Sequence, residues 1–520
     1  MAVLLPFFAS PVLLALLLLS CSTVVLLLIS VAVFRGRSGG FSRAHDGGAE
    51  VPQTYPVLGC LVAFCRNKHR LLDWYTECLA ASPTQTIVVR RLGARRTVVT
   101  ANPKNVEHML RTNFGNYPKG KPFTDLLGDL LGCGIFNADG DLWHAQRKLA
   151  SHEFTTRSLR ELVVGALEAE TDGRLVPFLG VTADQGRVVD LQEILRRFAF
   201  DTICMISLGT DPGCLEPSLP DSSLAAAFDT ASEICARRGA SPVSAVWKLK
   251  RALGIGSERV LREKVGLVQK SVMELIRRRK AEEELKGKPC DDFLSRLISG
   301  GHDVEVVRDM VISFIMAGRD TTSSALTWFF WLLSRHADIE QQVRMEVAQV
   351  KGRLDYHNLK EMRVLEACLY ESMRLYPPVA WDSKHAATDD VLPDGTRVGR
   401  GDRVTYFPYG MGRMETLWGK DAAEFRPGRW HLADPNGWDQ AAKVSPFKYP
   451  VFQGGPRVCL GKEMAFVQMK YVAAAVLQRF ELRPVDDGSR VFVPLLTAHM
   501  AGGLRVVARR RDPVHDSAQK

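Results

Sequence analysis

From Val3 to Phe34 no charged side chain occurs, and Leu13–Leu19 is almost pure leucine. About 20 apolar residues span a bilayer core, whereas a secretory signal has a shorter apolar region, about 7–15 residues, after a basic start. Here the basic residues Arg35, Arg37 and Arg43 follow the apolar run. Residues 1–34 are therefore expected to form a single transmembrane anchor with the following chain on the cytosolic side. Residues 35–56 read as a hinge, with flexible Gly39, Gly40, Gly47 and Gly48 before the stiffer Pro52 and Pro56. Residues 57–510 read as one large domain and 511–520 as a polar tail.

Within the domain the apolar spacing is mostly helical. It predicts a helix over Leu61–Ala81, a short hairpin over Thr86–Thr100 turning at Gly93-Ala94, and a helix capped by Asn102-Pro103. Residues from about 141 to 300 read as mostly helical. The charged run Arg277–Glu284 reads as a solvated helix end and loop. Val304–His336 is apolar almost throughout, the pattern of a buried helix, with Gly318, Arg319 and Asp320 in its middle. A further helix is expected over Asn358–Leu375, stopping at Pro377-Pro378. Another begins near Gly461. Arg403–Tyr406 reads as a strand and Val491–Arg509 as a β-ribbon. The fold class is mainly α with small β-sheets.

Composition narrows the function without choosing it. The 520 residues are 46% hydrophobic and 24% charged, which excludes disorder and collagen-like repeats. The net charge of +10 suits an anionic membrane surface, an acidic protein face or nucleic acid alike. Eleven cysteines at irregular spacing, with no C-x-x-C pair, argue against a disulfide scaffold or zinc ribbon.

The most informative segment is Phe452-Gln453-Gly454-Gly455-Pro456-Arg457-Val458-Cys459-Leu460-Gly461. Glycines and a proline set a rigid turn, a cysteine follows, and a helix begins just after. The positive end of a helix favours a thiolate, and Arg457 adds charge beside it. No histidine is near in sequence to act as a base. A metal ligand on a bulky anionic cofactor fits better than a nucleophile.

This segment resembles the haem-binding signature F-x-x-G-x-R-x-C-x-G of the cytochrome P-450 superfamily, matching at Phe452, Gly455, Arg457, Cys459 and Gly461. The resemblance implies that fold and a haem b whose iron is bound by Cys459. Ala317-Gly318-Arg319-Asp320-Thr321-Thr322 resembles the family's oxygen-activating motif, which implies proton relay by Asp320 and a hydrogen bond from Thr321 to bound oxygen and water. Glu371 and Arg374 resemble the E-x-x-R pair, completed by Arg429 as a structural triad. Trp143 and Arg147 resemble the W-x-x-x-R element that holds a haem propionate. Lys384 and Arg457 align with further propionate donors, with His385 an alternative to Lys384. Ala317 stands where some animal relatives carry a glutamate that ester-links haem, so a non-covalent haem is implied.

Runs such as Tyr117–Gly120, Thr327–Leu333 and Asp389–Gly395 are similar to the plant fatty-acid ω-hydroxylases, a group that includes hydroxylases of jasmonoyl–amino acid conjugates. Phe123, Phe314, Met316, Val379, Trp381 and Leu496 fall where relatives line the substrate pocket, and Lys119 and Lys121 are candidates for a substrate carboxylate near its mouth. The resemblance implies an endoplasmic-reticulum monooxygenase acting on a lipid-like substrate with O2. NADPH electrons would arrive through a separate flavoprotein reductase, since the chain has no G-x-G-x-x-G fingerprint. Lys448, Arg457, Lys462 and Lys470 are candidate docking cations. An O2-independent hydroperoxide isomerase or dehydratase, and a non-catalytic haem protein, are the rivals. Neither needs the Asp320-Thr321 pair.

Overall fold

A computed structural model describes residues 52–511, apart from 53, 56, 93, 154–156, 242, 287–292, 351, 431–443 and 487. The expected anchor, most of the hinge and the tail lie outside the described residues. Among the described residues, no helix is long and apolar enough to cross a membrane.

Among the helices are α1 (Leu71–Ala81), α2 (Gly120–Leu131), α3 (Gly140–Glu153), α4 (Leu191–Leu208), α5 (Ser223–Ala240), α6 (Ser257–Lys286), α7 (Val304–Ser334), α8 (Arg363–Leu375) and α9 (Lys462–Arg479). The 31-residue α7 runs through the middle with 21 of its residues buried. This is why its sequence lacks a polar stripe. α4 lies against it at Gly318, where an added Cβ would stand 2.5 Å from Ile203. The motif glycine therefore permits close helix packing.

Eleven short strands are β1 (Thr86–Val89), β2 (Thr97–Thr100), β3 (Val188–Asp190), β4 (Asp382–His385), β5 (Asp390–Val391), β6 (Arg397–Val398), β7 (Arg403–Tyr406), β8 (Phe480–Pro484), β9 (Phe492–Pro494), β10 (Ala498–Met500) and β11 (Arg505–Arg510). The largest sheet has the order β1-β2-β7-β4. β2 and β7 pair in parallel, while β4 is antiparallel to β7 with Ser383 opposite Thr405 and His385 opposite Arg403.

Several expected boundaries move. The helix read as Leu61–Ala81 breaks at a 3-10 turn over Lys68–Arg70, and that read as Asn358–Leu375 breaks at Met362. The charged run at 277–284 continues α6 to Lys286, because Arg279 turns inward and donates to the Leu208 carbonyl at 2.6 Å. Val491–Arg509 is no single ribbon. β9 and β10 form a hairpin, and β11 joins β3 and β8 in another sheet. The hairpin strands and the Asn102 cap stand as expected, with Asn102 Oδ1 accepting from Lys104 N at 3.0 Å. All nine cysteines among the described residues are free thiols.

Candidate active site

An internal cavity of about 400 Å³ lies between α7 and the cysteine loop. α7 supplies Phe314, Ala317, Gly318 and Thr321. α9 supplies Met464, Ala465 and Gln468, again at helical spacing, and Gly461 precedes it at the N-cap.

The cysteine loop is held by its own backbone. Cys459 N donates to the Phe452 carbonyl at 2.8 Å. Gly455 has φ +63°, and a Cβ there would stand 1.9 Å from the Leu110 carbonyl oxygen. Only glycine satisfies both the conformation and the approach. The accessible surface of Cys459 opens into the cavity. Burial raises its thiol pKa, while the Gly461 N–H, Arg147 and Lys462 pull it down. A bound metal ion would reverse the net rise and hold the sulfur as thiolate.

Behind the loop, Glu371 is fully buried and accepts from Arg374 Nε and Nη2 at 2.8 Å each, Arg429 Nε at 2.7 Å and Trp430 Nε1 at 2.9 Å. Arg374 also donates to the carbonyls of Gly412, Ala422 and Glu424. The three triad residues are therefore brought together. Trp430 is a fourth member, which the sequence reading missed although it adjoins Arg429.

The cations at the cavity test the fit of a haem. Arg147 lines it without a carboxylate partner among the described residues, and burial lowers its pKa. Arg457 bonds Asp139 Oδ1 at 2.7 Å and lies 4.4 Å from the Trp143 ring, but its Nε is buried without a partner. A thiol open to an apolar cleft rimmed by under-neutralised guanidinium groups suits an iron porphyrin with two carboxylates.

Lys384 departs from expectation. It is fully buried, does not line the cavity, and donates to Asp382 Oδ2 at 3.0 Å. Burial lowers its pKa to about 7 against the pull of Asp382. Its alternative, His385, contacts the Lys119 carbonyl at 2.7 Å, and burial lowers its pKa to about 4. Lys119 lines the cavity instead and donates to Asp382 Oδ1 at 2.7 Å. Burial alone would raise the Asp382 carboxyl, but the two lysines outweigh it and hold it ionised. Lys119 thus lines the cavity already paired with a carboxylate, and Lys121 is an exposed partner of Asp125.

The motif on α7 divides. Thr321 lines the cavity and donates to the Ala317 carbonyl at 2.6 Å. Asp320 does not line it. Its carboxylate lies 3.6 Å from Arg319 Nη1, and Oδ1 is buried without a hydrogen bond. Thr322 and Gln468 face each other at 3.4 Å on the cavity wall. The sequence signal for Gln468 was a polar residue on the apolar stripe of α9. Phe123, Phe314, Met316, Val379, Trp381 and Leu496 all line the cavity.

The docking cations also change. Arg457 serves the cavity side, and Lys470 is buried against Glu366. Lys448 and Lys462 are half-buried over aromatic rings.

Thiol ligand, triad and buried α7 together define a haem-thiolate monooxygenase site. A family model described as "Cytochrome P450" matches residues 50–496, and the chain belongs to that family. It is 59% identical to cytochrome P450 94B1 of Arabidopsis thaliana over 90% of this chain and 93% of the relative. It is 56% identical to cytochrome P450 94B3 of the same plant over 95% and 98%. It is 45% identical to cytochrome P450 94A1 of Vicia sativa over 89% and 91%. Its fold matches the crystal structure of the cytochrome P450DA heme domain, with TM-score 0.73 and 19% identity over 89% of this chain and 98% of that one.

When bound, haem supplies the reductive activation of O2 that inserts an oxygen atom into substrate. Cys459 would hold its iron, and Trp143, Arg147 and Arg457 its propionates. Thr321 offers a hydroxyl at the cavity wall for a proton or a water. The apolar lining excludes bulk water from the reacting carbon.

Proposed function

We propose that the protein hydroxylates a fatty acid at or near its terminal carbon. Electrons would pass from NADPH through a separate membrane flavoprotein reductase. The catalytic domain would face the cytosol from the endoplasmic-reticulum membrane, tethered by residues 1–34. The observation that carries the substrate class is the cavity lining. Phe123, Phe314, Met316, Val379 and Leu496 make it mostly apolar, while Lys119, Arg147, Asp382, Ser383, Arg403, Arg457 and Gln468 are among a polar minority. An amphipathic chain with one anionic head matches that division. The similarity to cytochromes P450 of the 94 group agrees with the resemblance to plant ω-hydroxylases seen in the sequence.

The test is product analysis by mass spectrometry with a reductase in microsomes, offering free fatty acids and jasmonoyl-isoleucine side by side. A terminally hydroxylated fatty acid is expected. Turnover of the conjugate alone would move the assignment to oxylipin conjugates. Oxidation of neither would overturn it.

A further inference from the structure

Arg403 is a cation that the site as described does not use. It sits on β7, directly opposite His385 of β4, and lines the cavity. Side chains alternate along a strand, so Arg403 shares a sheet face with Thr405 and its opposite number Ser383. Its Nε donates to Ser383 Oγ at 2.9 Å, and that oxygen is 2.9 Å from Thr405 Oγ1. Asp382, one residue along β4, is already committed to Lys119, Lys384 and the Tyr406 hydroxyl.

None of the described carboxylates lies within ion-pair distance of the Arg403 guanidinium. Burial lowers its pKa, and the charge of Arg91 lowers it further, against Tyr75 and Asp382. Arg91 itself has a buried Nη1 with no partner, and its guanidinium lies 4.0 Å from the Phe64 ring. Asp382 acts on Arg403 but is already shared by two lysines, so half-buried Arg403 and its neighbour Arg91 leave a local excess of positive charge that a further carboxylate would relieve.

The anion has two sources, a cofactor propionate or a substrate carboxylate. The charges acting on Cys459 are Arg147 and Lys462, and those acting on Arg457 are Asp139, Asp382 and Arg147. Those acting on Arg403 are Tyr75, Arg91 and Asp382. Arg403 enters the cavity from β7 and Arg457 from the cysteine loop, although Asp382 acts on both.

We propose that Arg403, steadied by Ser383 and Thr405, receives the carboxylate of the substrate, so that the far end of the lipid chain points toward Cys459. The proposal rests on the substrate being a carboxylated lipid, as argued above. A guanidinium–carboxylate contact fixes one end of a flexible chain, and only the other end is then free to reach the oxidant.

The experiment titrates the full-length, haem-loaded protein with dodecanoic acid and with methyl dodecanoate. Binding is read by equilibrium dialysis and by the spin-state change in the absorbance spectrum. Wild type is expected to bind the acid more tightly than the ester. Arg403→Gln should weaken the acid by roughly 10- to 100-fold, as for loss of a charged hydrogen bond, and leave the ester unchanged. Arg403→Lys should restore part of the preference. Equal binding of acid and ester by wild type overturns the proposal, and so does an unchanged acid-to-ester ratio in Arg403→Gln. Loss of haem from Arg403→Gln, with the preference intact in the haem that remains, would assign Arg403 to a propionate and overturn it too. Should Arg403→Gln fail to fold, Ser383→Ala is expected to change acid binding alone, and no change overturns the proposal. Failure to oxidise any fatty acid or jasmonoyl-isoleucine defeats the substrate reading separately, because the receptor is scored on binding.

Discussion

The Thr321 hydroxyl donates to the Ala317 carbonyl at 2.6 Å, one turn back on α7, and both residues line the cavity. The bond commits the hydroxyl proton and leaves the oxygen lone pairs free to accept. A water beside it can therefore donate to Thr321 and be held in the cavity. Thr321→Ala is expected to retain haem while product per NADPH consumed falls roughly 10-fold or more, with hydrogen peroxide taking the difference. Thr321→Ser should recover coupling. A fully coupled alanine variant would falsify this role.

Glu371 predicts a stability effect without a chemical one. Its carboxylate neutralises Arg374 and Arg429 where all three are largely shielded from water. Glu371→Ala would leave buried guanidinium charge unpaired and is expected to destabilise by about 3–5 kcal/mol. Little haem-loaded protein should accumulate, read as the yield of the ferrous–carbonyl spectrum and by thermal melting. Arg429→Ala, at a partly exposed position, should be milder. Normal yield and melting of Glu371→Ala would show that the triad does not hold the loop.

Cys459→Ala should abolish the red-shifted ferrous–carbonyl Soret band without unfolding the domain, because the loop is fixed by the Cys459 N–H and by Gly455 and not by sulfur. Circular dichroism of the variant should match wild type. Persistence of the band would remove Cys459 as the ligand.

A pH effect is expected at a residue that does not line the cavity. Burial and the nearby Asp201 raise the Glu170 carboxyl to about 8, against Arg174. Its Oε1 is buried without a hydrogen bond. The folded protein thus holds a proton that the unfolded chain releases in the ordinary carboxylate range. The stabilisation is complete below that range and is lost as pH rises through about 8. Glu170→Gln should flatten the fall in melting temperature between about pH 5 and pH 8. Parallel melting curves for the two proteins across that range would refute the linkage.

Deleting residues 1–34 should release the protein from sedimented membranes, while the haem spectrum is retained. A truncated chain that still pellets at high salt and alkaline pH would locate membrane attachment elsewhere.

The family was legible because its motifs are short local patterns, whereas Arg429, 58 positions from Glu371, was supplied only by the resemblance. A rigid turn before a helix fixes Cys459, and a three-residue helical spacing aligns Glu371 with Arg374. The buried helix was legible because an element surrounded by core needs no polar face. Periodicity could not show which polar groups face each other across elements. Lys119 and Lys384 lie 265 positions apart in sequence and share one carboxylate, Asp382, only because β4 packs against the chain entering α2. Asp320 and Thr321 are neighbours in sequence, yet a turn of about 100° per residue sends one to Arg319 and the other to the cavity. Arg403 is one charge on a strand in the sequence, and only the fold places it on the cavity wall with its Nε bonded to Ser383. Local sequence determines which conformations and ligands are available. Tertiary packing decides which charges are neutralised, because that depends on distances between segments that the spacing of residues along one chain does not encode.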